Sequence, residues 1–142
     1  MVAHYLIKSE PDVFSFQKFV ADGTAVWDGV RNYAARNHLR AMRVGDLALF
    51  YHSNIGKEIV GVARVTREAY PDPTASSGDW SAVDFAPVVA FAVPVSLARI
   101  KSEPALAAME LLRQSRLSVQ PVRPEEFRLL LAMGKTKLPR GR

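Results

Sequence analysis

The sequence of 142 residues contains no cysteine. This absence excludes disulfide bonds, zinc–thiolate sites and a cysteine nucleophile, and it favours a reducing compartment. The three histidines, His4, His38 and His52, do not have the H-x-x-H or H-E-x-x-H spacing of metal-binding motifs. We therefore predict that the protein binds no metal.

Long apolar runs are also missing. The longest, residues 86–95, is interrupted by Pro87 and Pro94 and is far shorter than the roughly 18 residues of a membrane-spanning helix. The first eight residues lack the basic start, apolar stretch and cleavage site of a secretory signal. We expect a soluble cytoplasmic protein with no membrane partner, associated with the nucleoid in a bacterium or nuclear in a eukaryote.

Acidic residues are absent from the C-terminal segment, residues 134–142, which carries four of the 19 basic residues. Residues 1–133 therefore hold 15 basic and 14 acidic residues, and most of the formal net charge of +5 belongs to the end of the chain. A hydrophobic content of 49% is sufficient for a core. We assign residues 1–133 to a single, monomeric domain and residues 134–142 to a flexible basic tail.

Apolar periodicity and turn residues predict strands and helices in mixed order. Strands are expected at residues 5–7, 47–51, 59–66 and 88–95, with a short extended piece at 117–119. Helices are expected at residues 15–22, 32–42, 104–115 and 124–132, and an exposed loop at 70–79. This order favours a mixed α/β (α+β) fold built on a small barrel over a doubly wound sheet. No G-x-G-x-x-G motif follows the first strand, and we predict no cofactor.

The segment from Trp27 to Tyr33 places two aromatic residues, Arg31 and Asn32 beside a glycine at the start of a predicted helix. Such residues can stack a planar ring and hydrogen-bond its edge. The segment alone favours a structural interpretation, in which Trp27 anchors the core, Asn32 caps the helix and Arg31 is a surface charge.

The helix that follows carries Arg36, Arg40 and Arg43 at a helical spacing of four and three residues. An arginine stripe of this kind supplies contacts to phosphates, although solvated helix faces are often basic as well. Because the stripe adjoins the Trp27 segment, the two features together indicate a nucleic-acid partner.

Short polar clusters follow two predicted strands, at positions that commonly line pockets. They are residues 52–54 and residues 118–121. His52 and Ser53 do not form a nucleophile and base, because adjacent residues on an extended segment point to opposite faces. We find no motif of a hydrolase.

Six motifs resemble, in order, the EVE domain family of the PUA-like superfamily. They lie at residues 5–11, 27–32, 35–37, 50–54, 69–74 and 112–121. The resemblance implies a small β-barrel flanked by helices that recognises modified nucleobases, with modified cytosine in DNA foremost, and no catalysis. It also implies the ligand-binding residues, which are Lys8, Ser9, Glu10, Trp27, Arg31, Asn32, Tyr51, His52, Ser53, Asn54, Ser118 and Gln120.

The chain departs from the family pattern where relatives often carry tryptophan, at Phe16 and at residues 85–87, and its loop at residues 70–80 is short. A change in this loop could alter the choice of ligand. We hypothesise that one nucleotide stacks on Trp27, with Tyr51 or Tyr33 nearby, while arginines contact the flanking phosphates. The alternatives are a binding protein for a free nucleotide or another small molecule and, less favoured, an enzyme.

Overall fold

The computed structural model describes residues 2–139, which form a six-stranded sheet with helices on both faces. Within this range, no helix combines the length and hydropathy required to cross a membrane. The elements in chain order are β1 (His4–Ser9), α1 (Phe16–Asp22), β2 (Ala25–Trp27), α2 (Tyr33–Ala41), β3 (Leu47–His52), β4 (Glu58–Pro71), β5 (Ser81–Ser96), α3 (Leu97–Lys101), a 3₁₀ turn (Pro104–Leu106), α4 (Glu110–Arg113), β6 (Val119–Val122) and α5 (Pro124–Met133).

The strands run in the order β2-β5-β4-β3-β1-β6, and only β1 and β3 pair in parallel. The β4–β5 hairpin contains four register shifts. Such irregularities bend strands and increase their twist. The mixed α/β prediction is confirmed, but β2 and β6 remain edges, so the sheet is a barrel only in a loose sense.

Alternating side chains divide the core between the two faces of the sheet. Ile7 and Phe50 belong to a cluster covered by α1 and α2, whereas Leu6 and Leu49 belong to a second cluster covered by the later helices. This alternation follows from the two-residue period of a strand, because neighbouring side chains point to opposite faces. The sheet is therefore the middle of three layers.

The first two helices begin where the sequence predicts. The Ser15 hydroxyl accepts a hydrogen bond from the Lys18 amide at 3.0 Å, and the Asn32 side chain accepts one from the Ala35 amide at 3.0 Å. Gly23 ends α1 in the left-handed conformation, with φ 78°. These caps fix the two ends of the segment that contains β2.

The structure differs from the predicted elements in several places, and the short helix α3 (Leu97–Lys101) is one element that was not predicted. Strand β2 was not predicted, because its three residues are too few to show a period. The helix predicted at residues 104–115 is instead a 3₁₀ turn followed by the single-turn helix α4. Strands β4 and β5 extend well beyond their predicted limits, which shortens the expected loop to residues 72–80.

The chain beyond α5 remains on the sheet for several residues. The Gly134 carbonyl accepts a hydrogen bond from the Val93 amide at 3.0 Å, and the Thr136 hydroxyl accepts one from the Ala92 amide at 2.9 Å. Leu138 packs against the second core cluster. Residues 134, 136 and 138 therefore contact the domain, whereas a flexible tail was expected to begin at residue 134. Residues 140–142 lie outside the described range.

We predict that Gly61→Ala destabilises the fold by about 1 to 3 kcal/mol, because interiors tolerate added volume poorly. A Cβ atom at Gly61 would overlap the ring of Phe16, the buried first residue of α1. Urea denaturation measures the loss, and Phe16→Leu added to Gly61→Ala should recover part of it. Equal unfolding free energies for wild type and Gly61→Ala would contradict this packing.

Candidate functional site

A cavity of about 730 Å³ opens beside the edge strand β2. Its volume lies within the range of small-molecule sites. The walls come from the end of β1 and the turn after it, from the residues before and within β2, from the segment leading to α2, and from the residue before β6. The lining residues are Lys8, Ser9, Glu10, Val13, Phe14, Asp22, Thr24, Ala25, Val26, Trp27, Asp28, Gly29, Val30 and Ser118.

Trp27 is the tryptophan of this cavity, and it also belongs to the packing of the first core cluster. Its ring lies edge-on to Phe50 at 5.7 Å and to Phe85 at 5.6 Å between ring centroids. Phe14, which also lines the cavity, lies 6.2 Å away. The indole is therefore held rigidly while it remains half-buried. The structural and the ligand-binding interpretations of Trp27 are therefore compatible, because the same side chain packs against the core and lines the cavity.

The end of β1 brings three predicted residues and Ser118 to the cavity. The Lys8 amide donates to the Ser118 carbonyl at 3.0 Å, which joins the two segments. The Lys8 ammonium donates to the Ser115 carbonyl at 2.6 Å, and burial lowers the pKa of Lys8. The Ser9 hydroxyl donates to the Phe14 carbonyl. Lys8 and Ser9 are thus already engaged within the protein, whereas Glu10 is exposed.

Carboxylates outnumber basic groups on the cavity wall. Glu10, Asp22 and Asp28 line it together with a single cation, Lys8. Carboxylates accept hydrogen bonds from amino groups such as the exocyclic amine of cytosine, and they repel phosphate. The cavity is therefore better suited to a base with an amino group than to a phosphate.

Several predicted residues are instead used in local structure and do not line the cavity. Asn32 caps α2, and Asn54 occupies the left-handed conformation with φ 67° in the β3–β4 turn, next to the half-buried Ser53. The His52 Nε2 atom accepts a hydrogen bond from the Phe16 amide at 3.0 Å, and burial lowers the pKa of His52. His52 therefore positions the start of α1.

Tyr51 and Gln120 are buried away from the cavity. Tyr51 belongs to the second core cluster, on the opposite face of the sheet from the cluster that Trp27 packs against. The Gln120 amide donates to the Leu117 carbonyl at 2.8 Å, and its carbonyl oxygen has no partner among residues 2–139. Neither side chain lines the cavity.

Asp72 organises the rim of the cavity, although the sequence did not single it out. Its side chain is fully buried, and its carboxylate accepts hydrogen bonds from the Gly29 amide at 2.8 Å and from the Arg31 guanidinium at 2.9 Å. The Thr74 amide and hydroxyl both donate to it at 2.7 Å. Asp72 thereby ties the β4–β5 loop to the segment between β2 and α2. The Asp-Pro-Thr sequence that forms this turn was the available signal.

The hydrogen bonds to Asp72 determine its ionisation. Burial by itself raises the pKa of a carboxyl group, but the hydrogen bonds from Thr74, Arg31 and Gly29 outweigh burial. They hold the pKa of Asp72 well below its ordinary value of 3.8. The group is an anion at neutral pH, and Arg31 is its counter-ion.

The predicted arginine stripe faces acidic residues. Arg36 and Arg40 converge on Asp79 of the β4–β5 loop, and Arg43 lies 3.8 Å from Glu68. Arg43 is the most exposed of the three side chains, with 69% of its surface accessible. None of the stripe lines the cavity. Within residues 2–139, no group of three or more His, Asp or Glu side chains is arranged to hold a metal ion.

The mixed six-stranded sheet, the helices on its two faces and the cavity lined by Trp27 and Phe14 agree with the fold class that the family resemblance implied. The chain belongs to the EVE domain family, whose model matches residues 3–133. The family predicted from the six motifs is confirmed.

Named relatives and solved structures support this assignment. Human thymocyte nuclear protein 1 is 38% identical, with 92% of this chain and 73% of the relative covered. A protein of Rhodopseudomonas palustris, solved by NMR, is 53% identical with a TM-score of 0.90 and covers 94% of each chain. The human protein solved in complex with 5-methylcytosine-containing DNA is 37% identical with a TM-score of 0.87, covering 95% of this chain and 99% of the other.

We predict that Asp72→Asn destabilises the protein by about 2 kcal/mol or more, because an amide cannot accept all four hydrogen bonds and leaves Arg31 without its counter-ion. Since the folded-state pKa of Asp72 is lowered, its contribution is complete above the unfolded-state pKa of about 4 and declines as the pH falls toward the folded-state pKa. Urea denaturation should therefore show a large difference from wild type at pH 7 and a smaller one at pH 3.

The matched control is Asp12→Asn, which removes an exposed carboxylate from the turn after β1. It should change the unfolding free energy by less than about 0.5 kcal/mol at either pH. An Asp72→Asn variant as stable as Asp12→Asn at pH 7 would show that the rim does not depend on this carboxylate.

Proposed function

We propose that this protein binds nucleic acid that carries a modified base, with modified cytosine in DNA as the leading ligand, and that it does so without catalysis. The observation that carries the proposal is the aromatic-walled cavity beside Trp27 in a member of the EVE family. A human relative at 37% identity was solved in complex with 5-methylcytosine-containing DNA. The preference for cytosine, the absence of catalysis, a monomeric state and a cytoplasmic location remain predictions.

The base would enter the cavity edge first and stack on Trp27. A rigid aromatic platform loses little entropy when a ring stacks on it, because the indole is already held by Phe50 and Phe85. Glu10 and Asp28 would accept hydrogen bonds from the exocyclic amino group, which a cytosine possesses and a thymine lacks. A base inside a duplex cannot reach such a cavity, so it would have to be flipped out or already unpaired.

The phosphates would remain outside the cavity. The acidic lining opposes a phosphate within it, which does not favour the alternative of a free-nucleotide site. Arg36 and Arg40 lie on α2, the helix that follows the cavity rim, and Arg43 lies just beyond its end. All three would contact the flanking backbone. Of the other residues implied by the family resemblance, Lys8, Ser9 and Ser118 line the cavity, whereas Arg31 and Asn32 would act by holding its rim.

We predict that Trp27→Ala weakens binding of an oligonucleotide carrying 5-methylcytosine by about tenfold or more, since base stacking contributes roughly 1 to 3 kcal/mol. Trp27→Phe preserves the contacts to the core and should give a smaller loss. Isothermal titration measures both affinities, and thermal melting verifies that each variant is folded.

A second measurement does not require the loss of Trp27. The chain has two tryptophans, so Trp80→Phe leaves Trp27 as the only indole. Titration of this variant with the modified oligonucleotide should change its fluorescence, because the base contacts the ring directly. An unchanged spectrum at saturation would contradict the cavity assignment even if binding persists.

We predict that Arg36→Ala and Arg40→Ala each weaken the binding of modified and unmodified oligonucleotides to the same extent. Each variant should also reduce the slope of log affinity against log salt concentration by about one. Arg99→Ala, on α3 at the other face of the sheet, is the matched control and should leave affinity and slope unchanged. A loss confined to the modified oligonucleotide would mean that these arginines contact the base and not the backbone.

A further inference from the structure

An exposed aromatic cluster lies outside the cavity, where the start of α2 meets the β4–β5 loop. The rings of Tyr33 and Trp80 are stacked, with centroids 5.1 Å apart and planes 20° apart. Tyr33 nevertheless remains 67% exposed. We refer to Tyr33, Trp80, Arg36 and Arg40 as the Tyr33 surface. Most of an aromatic ring is thus available to a ligand on this surface.

The arginines of the Tyr33 surface are held in place by the protein. The Arg36 guanidinium lies 4.9 Å from the centroid of the Tyr33 ring, and only 16% of the Arg36 side chain is exposed. The Arg40 Nε atom donates to the Ser81 hydroxyl at 2.9 Å. Two cations therefore already have fixed positions beside an exposed ring, which reduces the entropy that a ligand must lose on binding.

Asp79 supplies the anion that the two arginines contact in this structure. Arg36 and Arg40 both donate to its carbonyl, at 3.1 and 3.2 Å, and Arg40 also donates to its carboxylate at 2.6 Å. The Asp79 side chain is 80% exposed, and exposed ion pairs contribute little to stability. A phosphate that approaches the two guanidinium groups can therefore take the place of the carboxylate.

The Tyr33 surface lies a short distance along the chain from the cavity. Gly29 lines the cavity, and the four-residue step from Gly29 to Tyr33 spans at most about 14 Å. Arg31, between them, lies over the Trp80 ring at 5.4 Å and donates to Asp72, which also accepts from the Gly29 amide. A strand with one base in the cavity would place a neighbouring nucleotide over this surface.

We propose that the Tyr33 surface binds a nucleotide next to the recognised one, with its base stacked on Tyr33 and its phosphate displacing Asp79 from Arg36 and Arg40. The proposal rests on the proposed function, because the cavity must hold the first base. Asp79 then acts as a resident competitor, which weakens binding of any strand through its backbone alone. The partner is single-stranded or locally unpaired nucleic acid with at least one residue beside the modified base.

The first test compares Tyr33→Ala with Tyr33→Phe. The ligands are a single-stranded trinucleotide with 5-methylcytosine at its centre and 5-methyl-2′-deoxycytidine monophosphate. Tyr33→Ala should lower the affinity for the trinucleotide about fivefold or more and leave the affinity for the mononucleotide unchanged. Tyr33→Phe should bind both ligands as tightly as wild type does. Equal trinucleotide affinities for Tyr33→Ala and wild type would overturn the stacking role.

The second test removes the resident anion. Asp79→Asn should tighten binding of modified and unmodified oligonucleotides by about two- to fivefold, which corresponds to the usual strength of an exposed ion pair. The gain should disappear when Arg36→Gln and Arg40→Gln are added. Glu125→Gln, which makes the same change of net charge at an exposed position of α5, is the matched control. Equal affinities for Asp79→Asn and Glu125→Gln would overturn the competitor role.

The two proposals fail in different ways. If wild type binds neither the trinucleotide nor longer modified oligonucleotides, the proposed function fails and the inference fails with it. If wild type binds and Trp27→Ala does not, while Tyr33→Ala and Asp79→Asn both behave as wild type, only the inference about the Tyr33 surface is overturned.

Discussion

Both candidate binding surfaces depend on the hydrogen bonds that the buried carboxylate of Asp72 accepts. Its oxygens accept from the Gly29 amide, the Arg31 guanidinium and the two donors of Thr74. A buried anion is costly unless every lone pair finds a donor, so the segment before α2 and the loop before β5 have to meet in one arrangement. That arrangement places Gly29 at the cavity rim. It also brings the loop residue Trp80 beside Tyr33.

Charge is divided between the inside of the cavity and the outside of the domain. Glu10, Asp22 and Asp28 outnumber Lys8 in the cavity lining, whereas Arg36 and Arg40 of α2 and the following Arg43 do not line the cavity. Acceptors inside select for a base with amino hydrogens, and cations outside attract any phosphate backbone. Pairing of those cations with Asp79 and Glu68 reduces the sequence-independent attraction. Discrimination between bases then depends more strongly on the cavity.

Much of the fold could be predicted from the sequence, because periodicity and caps are local properties. Ser15 and Asn32 specify two helix starts by the same short-range hydrogen bond, and both are confirmed. Strand β2 could not be found in this way, since it is defined by pairing with β5, which lies more than 50 residues away. The single helix expected at residues 104–115 was wrong, because Pro104 and the following turn favour a short 3₁₀ piece.

The site was less predictable for a related reason. Local pattern could identify Trp27 and the arginine stripe, and the family resemblance could identify the end of β1. Neither could say that His52 accepts a hydrogen bond from α1, nor that Tyr51 points to the face opposite Trp27. Asp72 was missed because its importance comes from partners about 40 residues earlier in the chain, which only the fold brings together.

Trp27 illustrates why core packing and ligand binding are not alternatives at this site. A surface tryptophan would pay for stacking with lost side-chain freedom, whereas this indole is already fixed edge-on against Phe50 and Phe85. The same contacts that stabilise the first core cluster therefore fix the position of the indole as precisely as that of a core side chain. Recognition of a small change on a base, such as a methyl group, requires a binding surface whose position is fixed this precisely. A platform built into the core provides it where a mobile loop could not.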